Sequence, residues 1–386
     1  MLKIVHIHTD EKFLNHSELF NCDQFNNKTF LFSNKSKPTQ KSICLLKETS
    51  KNFKLLINEC NNSDLVIFYD LDKYKVMLSE MISDSVCVIW RLFGHEFYSK
   101  YMNAFISNST RESLKNKSHY FLQKILKKAY IFNFANMFFV IKNGLLFKAI
   151  NTDRFNKALK RFDGILLTSI EEYDLIHKYW SFIKNPIVLP ISQLFITSSH
   201  LKRKKKKIII GNSRNIWNNH MDVIDLIKSS DKNYLYQFFL FFSYGDQNNY
   251  SKTIKAQINH CDNIHIINDF VTKKEFTSFY SDVSALVINS YRQLALGNIF
   301  TALNAGVKIY LNRRNSTMTW LKNEGFIIFD VGDLVSDINN NNLELTNNQK
   351  LYNYNQLIFL AKKYPLSQFH NRLLSLIKSK NDKKNH

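Results

Sequence analysis

Two segments have the residue types that a diphosphate or a sugar would need. In the first, Ile208-Ile209-Ile210 runs into Gly211-Asn212-Ser213, and a polar loop continues through Asn218 to His220. Glycine lets a backbone approach a ligand closely, and Asn and Ser supply short hydrogen-bonding side chains. An ordinary strand-to-helix turn with a capping residue reads the same way. In the second, the apolar run to Ile288 opens into Asn289-Ser290-Tyr291-Arg292-Gln293, then Gly297-Asn298 starts an amphipathic helix that Gly306 ends. A helix start has unsatisfied N–H groups and partial positive charge, which suit a pyrophosphate. Arg292 adds a charge-assisted contact. Tyr244-Gly245, after the run Phe238–Phe242, is placed to touch a donor sugar or base.

Proton-transfer chemistry has fewer candidates. His95 and Glu96 follow the apolar run Val86–Trp90, so both sit at the carboxyl end of a strand. A carboxylate or imidazole there can take a proton from a hydroxyl; a helix-start glutamate favoured by the dipole is the alternative. Asp70-Leu71-Asp72 follows Leu65–Tyr69 and has the spacing of a divalent-metal pair, a pattern common by chance. His6 and His8 alternate on the first run, where a histidine is more often a satisfied core residue than a catalyst. No Walker A loop, G-x-S-x-G elbow or H-E-x-x-H helix is present.

The elements that must position these residues read as alternating strands and helices. Expected strands are Lys3–His8, Leu65–Tyr69, Val86–Trp90 and Gly164–Thr168, then Ile208–Ile210, Phe238–Phe242, Ile264–Ile266, Ala285–Asn289, Lys308–Leu311 and Gly325–Phe329. Helical patterns such as Asp222–Lys228 and Lys274–Tyr280 separate them. This alternation predicts an α/β chain with parallel sheets. The charged run Ser198–Lys207 marks a boundary. It predicts an N-terminal Rossmann-like domain over 1–200, a second over 201–349, and terminal helices with a basic tail over 350–386. Ligands in such folds sit at the carboxyl ends of strands.

Composition sets the outer limits. The chain has 386 residues, 45% of them hydrophobic, and 53 Lys plus Arg against 32 Asp plus Glu give a net charge of +21. Such a charge points to an anionic partner, although a genome rich in A/T codons also inflates lysine. Five scattered cysteines without a C-x-x-C pair argue against a zinc site or a disulfide framework. The apolar N-terminus soon turns polar and reads as a buried strand rather than a signal peptide. The helical stretch 120–160 is basic and aromatic, with Lys124, Lys127, Lys128 and Lys142 set among Phe and Leu. It suits either a membrane interface, with lysines at the phosphates, or burial with lysines on the wet face. Its longest charge-free stretch, Ala129–Ile141, falls short of the ~20 residues that a membrane span needs.

The chain resembles the 4-acetamido-4,6-dideoxygalactose (Fuc4NAc) transferases of enterobacterial common antigen synthesis, the 4-alpha-L-fucosyltransferase family (glycosyltransferase family fifty-six). Gly211-Asn212-Ser213 with Asn218 and His220 carries the resemblance. So do Arg292-Gln293, Gly297, Ala305-Gly306 and Leu311-Asn312-Arg313, and Trp90, Gly94, Glu96 and Tyr98. Ala295 replaces a family glycine, Leu294 a glutamine and Glu96 an aspartate, and the basic insertion is longer here.

The resemblance implies a GT-B fold, two Rossmann-like domains with parallel sheets facing a central cleft, with C-terminal helices crossing back. It implies an inverting, metal-independent enzyme without a cofactor. The donor would be a dTDP-activated amino-deoxysugar and the acceptor an undecaprenyl-diphosphate-linked saccharide. The place would be the cytoplasmic face of a bacterial inner membrane, where the protein is peripheral. On this reading Gly211, Asn212, Ser213, Asn218, His220, Tyr244, Gly245, Gly297, Asn298 and Asn312 bind the donor. Arg292 and Gln293 meet the leaving diphosphate, Glu96 is the general base with His95 as second choice, and no metal is bound. A basic nucleic-acid-binding protein is the alternative from composition, against which the lysines are dispersed and no helix-turn-helix or RNP motif appears. A catalytically silent GT-B scaffold is the other alternative.

Overall fold

A computed structural model describes residues 1–34, 42–115, 152–191, 205–245, 249–269 and 273–382. Lys124, Lys127, Lys128 and Lys142, and most of the stretch 120–160, lie outside the described residues. The chain forms two compact units.

The first unit comprises the described parts of Met1–Ser99, Leu122–Pro190 and Tyr364–His386. Its sheet has seven strands: β1 (Leu2–His8), β2 (Phe25–Phe32), β3 (Ile43–Leu46), β4 (Leu65–Tyr69), β5 (Cys87–Arg91), β6 (Gly164–Leu167) and β7 (Pro186–Val188). Their order is β3-β2-β1-β4-β5-β6-β7, and every pairing is parallel. The five residues of β4 are all buried, as helices on both faces of a parallel sheet require. The C-terminal helix Leu366–Asp382 belongs here, with Phe369, Leu373 and Ile377 in one core with Ile4, Leu65 and Ile89.

The second unit comprises the described part of Lys100–Phe121 together with that of Ile191–Lys363. Its six strands are β8 (Lys207–Ile210), β9 (Gln237–Phe241), β10 (Ile264–Ile267), β11 (Ala285–Ile288), β12 (Lys308–Leu311) and β13 (Phe329–Asp330). They are parallel in the order β10-β9-β8-β11-β12-β13. Numbered from its own first strand, the second sheet runs 3-2-1-4-5-6, the doubly wound order, and the first runs the same way with a seventh strand added at the end. The switch point falls between β1 and β4 in one unit and between β8 and β11 in the other.

The structure differs from the sequence expectation in several places. The segment expected to end the first domain divides at Pro190 rather than at 200, and residues 100–115 join the second unit. There the Ser107 N–H donates to Asn219 Oδ1 at 2.8 Å, and the helix Asn108–Lys115 packs beside the helix His220–Lys228. The terminal helices are shared out: Asn347–Lys363 stays with the second unit and Leu366–Asp382 with the first. The strand expected at Gly325–Phe329 is only Phe329–Asp330. Gly325, at φ +84°, ends the helix Ser316–Asn323, and the Phe326 N–H bonds back to Leu321 O at 2.9 Å, a Schellman closure. Strands β2, β3 and β7 had no clear signal. Strand β2 begins with the polar Asn26-Asn27-Lys28, and β7 has three residues.

Candidate active site

In the second unit, the switch point is built around Gly211. Strand β8 ends at Ile210, and Gly211 turns the chain at φ +68°. Asn218 folds back over this turn: its Oδ1 accepts from Asn212 N at 3.3 Å, and its Nδ2 donates to Ser213 O at 3.0 Å. Asn212 in turn donates from Nδ2 to Tyr244 OH at 2.7 Å, drawing the end of β9 to the same loop. Gly245 follows at φ +100° against Arg214.

Next to it, Asn219 adopts the left-handed conformation at φ +47°, which asparagine tolerates better than most residues. Asn219 exchanges amide bonds with Asn289 at the end of β11: Nδ2 to Asn289 O at 2.9 Å, and Asn289 Nδ2 to Asn219 O at 3.3 Å. Asn312, after β12, donates to Asn289 Oδ1 at 2.8 Å. The network therefore stitches together the carboxyl ends of β8, β11 and β12. His220, fully buried, starts the next helix. Its backbone N–H donates to Tyr250 OH at 2.8 Å, and its Nδ1 lies 3.2 Å from the same oxygen. Burial lowers the His220 pKa to about 3, so the ring is neutral at working pH.

A cavity of about 580 Å³ opens beside this network, lined by Asp222, Asn289, Tyr291, Asn312, Arg313 and Asp330 among others. Its size is that of a small-ligand site. Its carboxylates suit hydroxyl groups better than phosphates. Burial raises the Asp222 pKa, while Ser107 and Ser109 donate to its carboxylate.

Arg292 is buried, with its guanidinium carbon 5.2 Å from the centre of the Trp217 ring. It thus ties the loop after β11 to the loop after β8 by cation–π contact. The helix Leu296–Asn304 follows Ala295, which sits at φ +62° without a side-chain cap. A Cβ added at Gly297 would meet nothing within 4 Å, so the first turn is open. The Asn298 side chain is turned to structural use instead: its Nδ2 donates to Tyr280 OH at 3.0 Å. A donor-binding role for Asn298 is thereby left to its backbone.

In the first unit, Glu96 is buried one turn beyond β5. Its Oε1 accepts from Trp90 Nε1 at 3.0 Å and from Phe93 N at 3.3 Å. Burial, and then the charge of Asp70, push its carboxyl pKa up to about 8. His95, beside it, is exposed and follows Gly94 at φ +90°. Tyr98, from the same motif, is fully buried and donates to Glu172 at 3.2 Å, a packing role.

The acidic pair after β4 separates. Asp70 stands at φ +66° with its Oδ1 accepting from Leu71 N at 2.7 Å. Asp72 caps the helix Lys73–Met81 by accepting from the Tyr74 and Lys75 N–H groups at 2.8 and 3.1 Å. The buried Lys75 ammonium lies 3.0 Å from Asp72 and 2.7 Å from the Thr9 hydroxyl, which also donates to Asp72. These contacts keep the Asp72 carboxyl below its usual range, against the opposing effect of burial. An aspartate so engaged fits a cap and an ion pair, not a metal ligand. Among the described residues no group of three or more His, Cys, Asp or Glu could hold a metal ion.

The structure brings Gly211, Asn212, Ser213, Asn218 and His220 together at one turn, and it gives structural roles to Asn219 and Asn289, which the two sequence segments contain without any role assigned. The Asn-Asn-His run was the available signal, because an asparagine just before a helix can take the left-handed turn. The pairing with Asn289 has no local signature.

No family model matches the chain, and no curated protein matches it significantly. Solved structures do. The chain is similar to Anabaena Alr3699/HepE in complex with UDP and glucose, with TM-score 0.62 and 9% identity over 98% of this chain and 100% of that one. It is also similar to a UDP-forming trehalose-phosphate synthase from Burkholderia xenovorans, with TM-score 0.62 and 8% identity over 98% and 99%. The apo structure of OtsA gives TM-score 0.59 and 8% identity over 98% and 99%. With the two doubly wound units, these neighbours establish the GT-B fold.

Proposed function

We propose that the chain is a glycosyltransferase that moves a sugar from a nucleotide donor to a hydroxyl acceptor. The buried asparagine network around Gly211 carries this reading. It fixes the buried glycine turn at a topological switch point, where doubly wound sheets bind their ligands. The similar structures support it, since HepE is seen with UDP-glucose.

The second unit binds the donor. The first turn of the helix Leu296–Asn304 offers N–H groups to the diphosphate, the Gly211-Asn212-Ser213 turn shapes the floor beside it, Arg292 balances its charge as it leaves, and Gln293 orients it. The first unit supplies Glu96 as base. The acceptor hydroxyl loses its proton to Glu96, its oxygen bonds to the anomeric carbon, and the bond from that carbon to the phosphate oxygen breaks. The nucleoside diphosphate leaves with the electron pair, and the configuration inverts.

The finer reading follows the family resemblance. The donor is a dTDP-linked amino-deoxysugar of the Fuc4NAc kind, and the acceptor an undecaprenyl-diphosphate-linked saccharide of surface-polysaccharide synthesis. The enzyme works without a metal at the cytoplasmic face of the inner membrane. The occupied Asp72 supports metal independence, and the basic, aromatic stretch 120–160 supports the membrane.

The test incubates the purified chain with dTDP- and UDP-sugars and a lipid-linked saccharide, with and without EDTA. Glycosylated lipid formed together with released nucleoside diphosphate is expected, unchanged by EDTA. Absence of turnover with every donor would refute the enzyme reading. Loss of turnover in EDTA would refute metal independence.

A further inference from the structure

Four buried polar atoms near the carboxyl edge of the first sheet lack a hydrogen-bond partner among the described residues: Nδ1 and Nε2 of His8, Nε of Arg91 and Oε2 of Glu96. His8 ends β1, Arg91 ends β5, and Glu96 lies just beyond, on a sheet where only β4 separates β1 from β5. Buried polar groups are nearly always bonded, so orphans gathered at one edge mark absent partners.

His6 provides the internal control. It lies two residues before His8 and so on the same face of β1. Its Nδ1 lies 3.0 Å from Tyr69 OH and its Nε2 2.9 Å from Asn27 Oδ1. The fold satisfies one histidine and leaves the other unsatisfied, with the His8 ring stacked on Tyr69 at 3.9 Å.

The orphaned groups define a chemistry. Burial, with His6, Lys75 and His16 nearby, keeps His8 neutral, so one ring nitrogen donates and the other accepts. Arg91 Nε donates and Glu96 Oε2 accepts when ionised. Hydroxyl groups both donate and accept and so match this set. A phosphate only accepts, and would meet the charges of Glu96 and Asp70. The Phe93 ring lies over the Arg91 guanidinium at 5.2 Å and stacks on Phe13 at 3.9 Å. Both rings are half-buried and offer an apolar face to the C–H side of a sugar.

We propose that His8 and Arg91 bind neighbouring hydroxyl groups of the acceptor sugar and so present one of them to Glu96. This rests on the transferase reading and adds the residues that hold the acceptor.

The test uses the purified full chain carrying His8→Phe, which keeps the stack on Tyr69 and removes both nitrogens. Removing two unpaired buried polar atoms should raise Tm by about 2–4 °C. The acceptor KM for a detergent-solubilised lipid-linked saccharide should rise at least ~10-fold, at about 1.4 kcal/mol per tenfold, while dTDP binding by calorimetry stays unchanged. His8→Gln, with one donor and one acceptor, should recover part of the KM. His8→Leu repeats the stability measurement without the bulk of Phe. A fall in Tm in both His8→Phe and His8→Leu overturns the proposal, because His8 then has a structural partner. An unchanged acceptor KM in an active enzyme also overturns it and leaves the transferase reading intact. Failure of the wild type to use any saccharide acceptor overturns the transferase reading, and this proposal with it.

Discussion

The Nε2 atom of His220 lies 2.5 Å from the place a Cβ on Gly211 would occupy. Asn218 Oδ1 lies 3.1 Å from the same point. Position 211 is therefore closed to any side chain, both by space and by its positive φ. Gly211→Ala should destabilise the second unit by at least ~2 kcal/mol, from the strained backbone and the displaced, fully buried ring. The affinity for dTDP or UDP should fall at least ~10-fold, read by calorimetry on the fraction that remains folded. Adding His220→Ala should restore part of the stability, since it removes the clash and leaves the strain. Wild-type nucleotide affinity in Gly211→Ala would remove this turn from the donor site.

Glu96 links activity to pH. Its carboxyl is raised to about 8 by burial and by Asp70, so the ionised base accumulates as pH climbs toward 8. The kcat/KM should rise tenfold per pH unit on the acid side and level off above about 8. Glu96→Gln should remove most turnover while leaving nucleotide binding intact. Wild-type turnover in that variant would exclude Glu96 as the base.

The same shift affects stability. Between pH 4.5 and 8 the folded carboxyl keeps a proton that the unfolded chain has lost, so stability falls as pH rises through that window. Glu96→Gln should therefore stabilise the protein little at pH 4.5 and most at pH 9, measured as the difference in Tm.

Buried histidines act in the opposite sense. The pKa values of His6, His8 and His220 are lowered to about 4, 2 and 3 by burial. Below pH 6.5 the unfolded chain takes up protons that the folded rings refuse. Each group then removes up to ~1.4 kcal/mol of stability per pH unit until its folded pKa is reached. Denaturant midpoints should drop steeply from pH 6.5 to pH 4.5. A flat profile over that range would show these rings to be accessible.

Asp72 should prove structural. Asp72→Asn weakens the cap and leaves the buried Lys75 ammonium without its ion-pair partner, so Tm should fall by several degrees. Millimolar Mg²⁺ should not raise the Tm of the wild type. A metal-dependent rise lost in Asp72→Asn would restore the acidic pair as a ligand set.

The sequence by itself determined the class of fold. Buried parallel strands such as Leu65–Tyr69 and Lys308–Leu311 are short apolar runs, bounded by polar turns, and their limits follow from local composition. It also singled out Gly211-Asn212-Ser213 as a glycine turn after an apolar run, a pattern shared by ligand loops and ordinary strand-to-helix turns. Strand β2, half polar and paired to β1 from Phe25 to Leu31, needed its neighbour to be seen.

Only tertiary structure decided which side chains meet. Asn219 and Asn289 are 70 positions apart and exchange amide bonds, because β8 and β11 lie side by side at the switch point. Asp70 and Asp72 are two residues apart and part company, because one turns left-handed and the other caps a helix. His6 and His8 share residue type, strand and face, yet Asn27 and Tyr69 satisfy only the first. Local sequence sets what each residue can do; the neighbours that decide what it does arrive from strands far away in the chain.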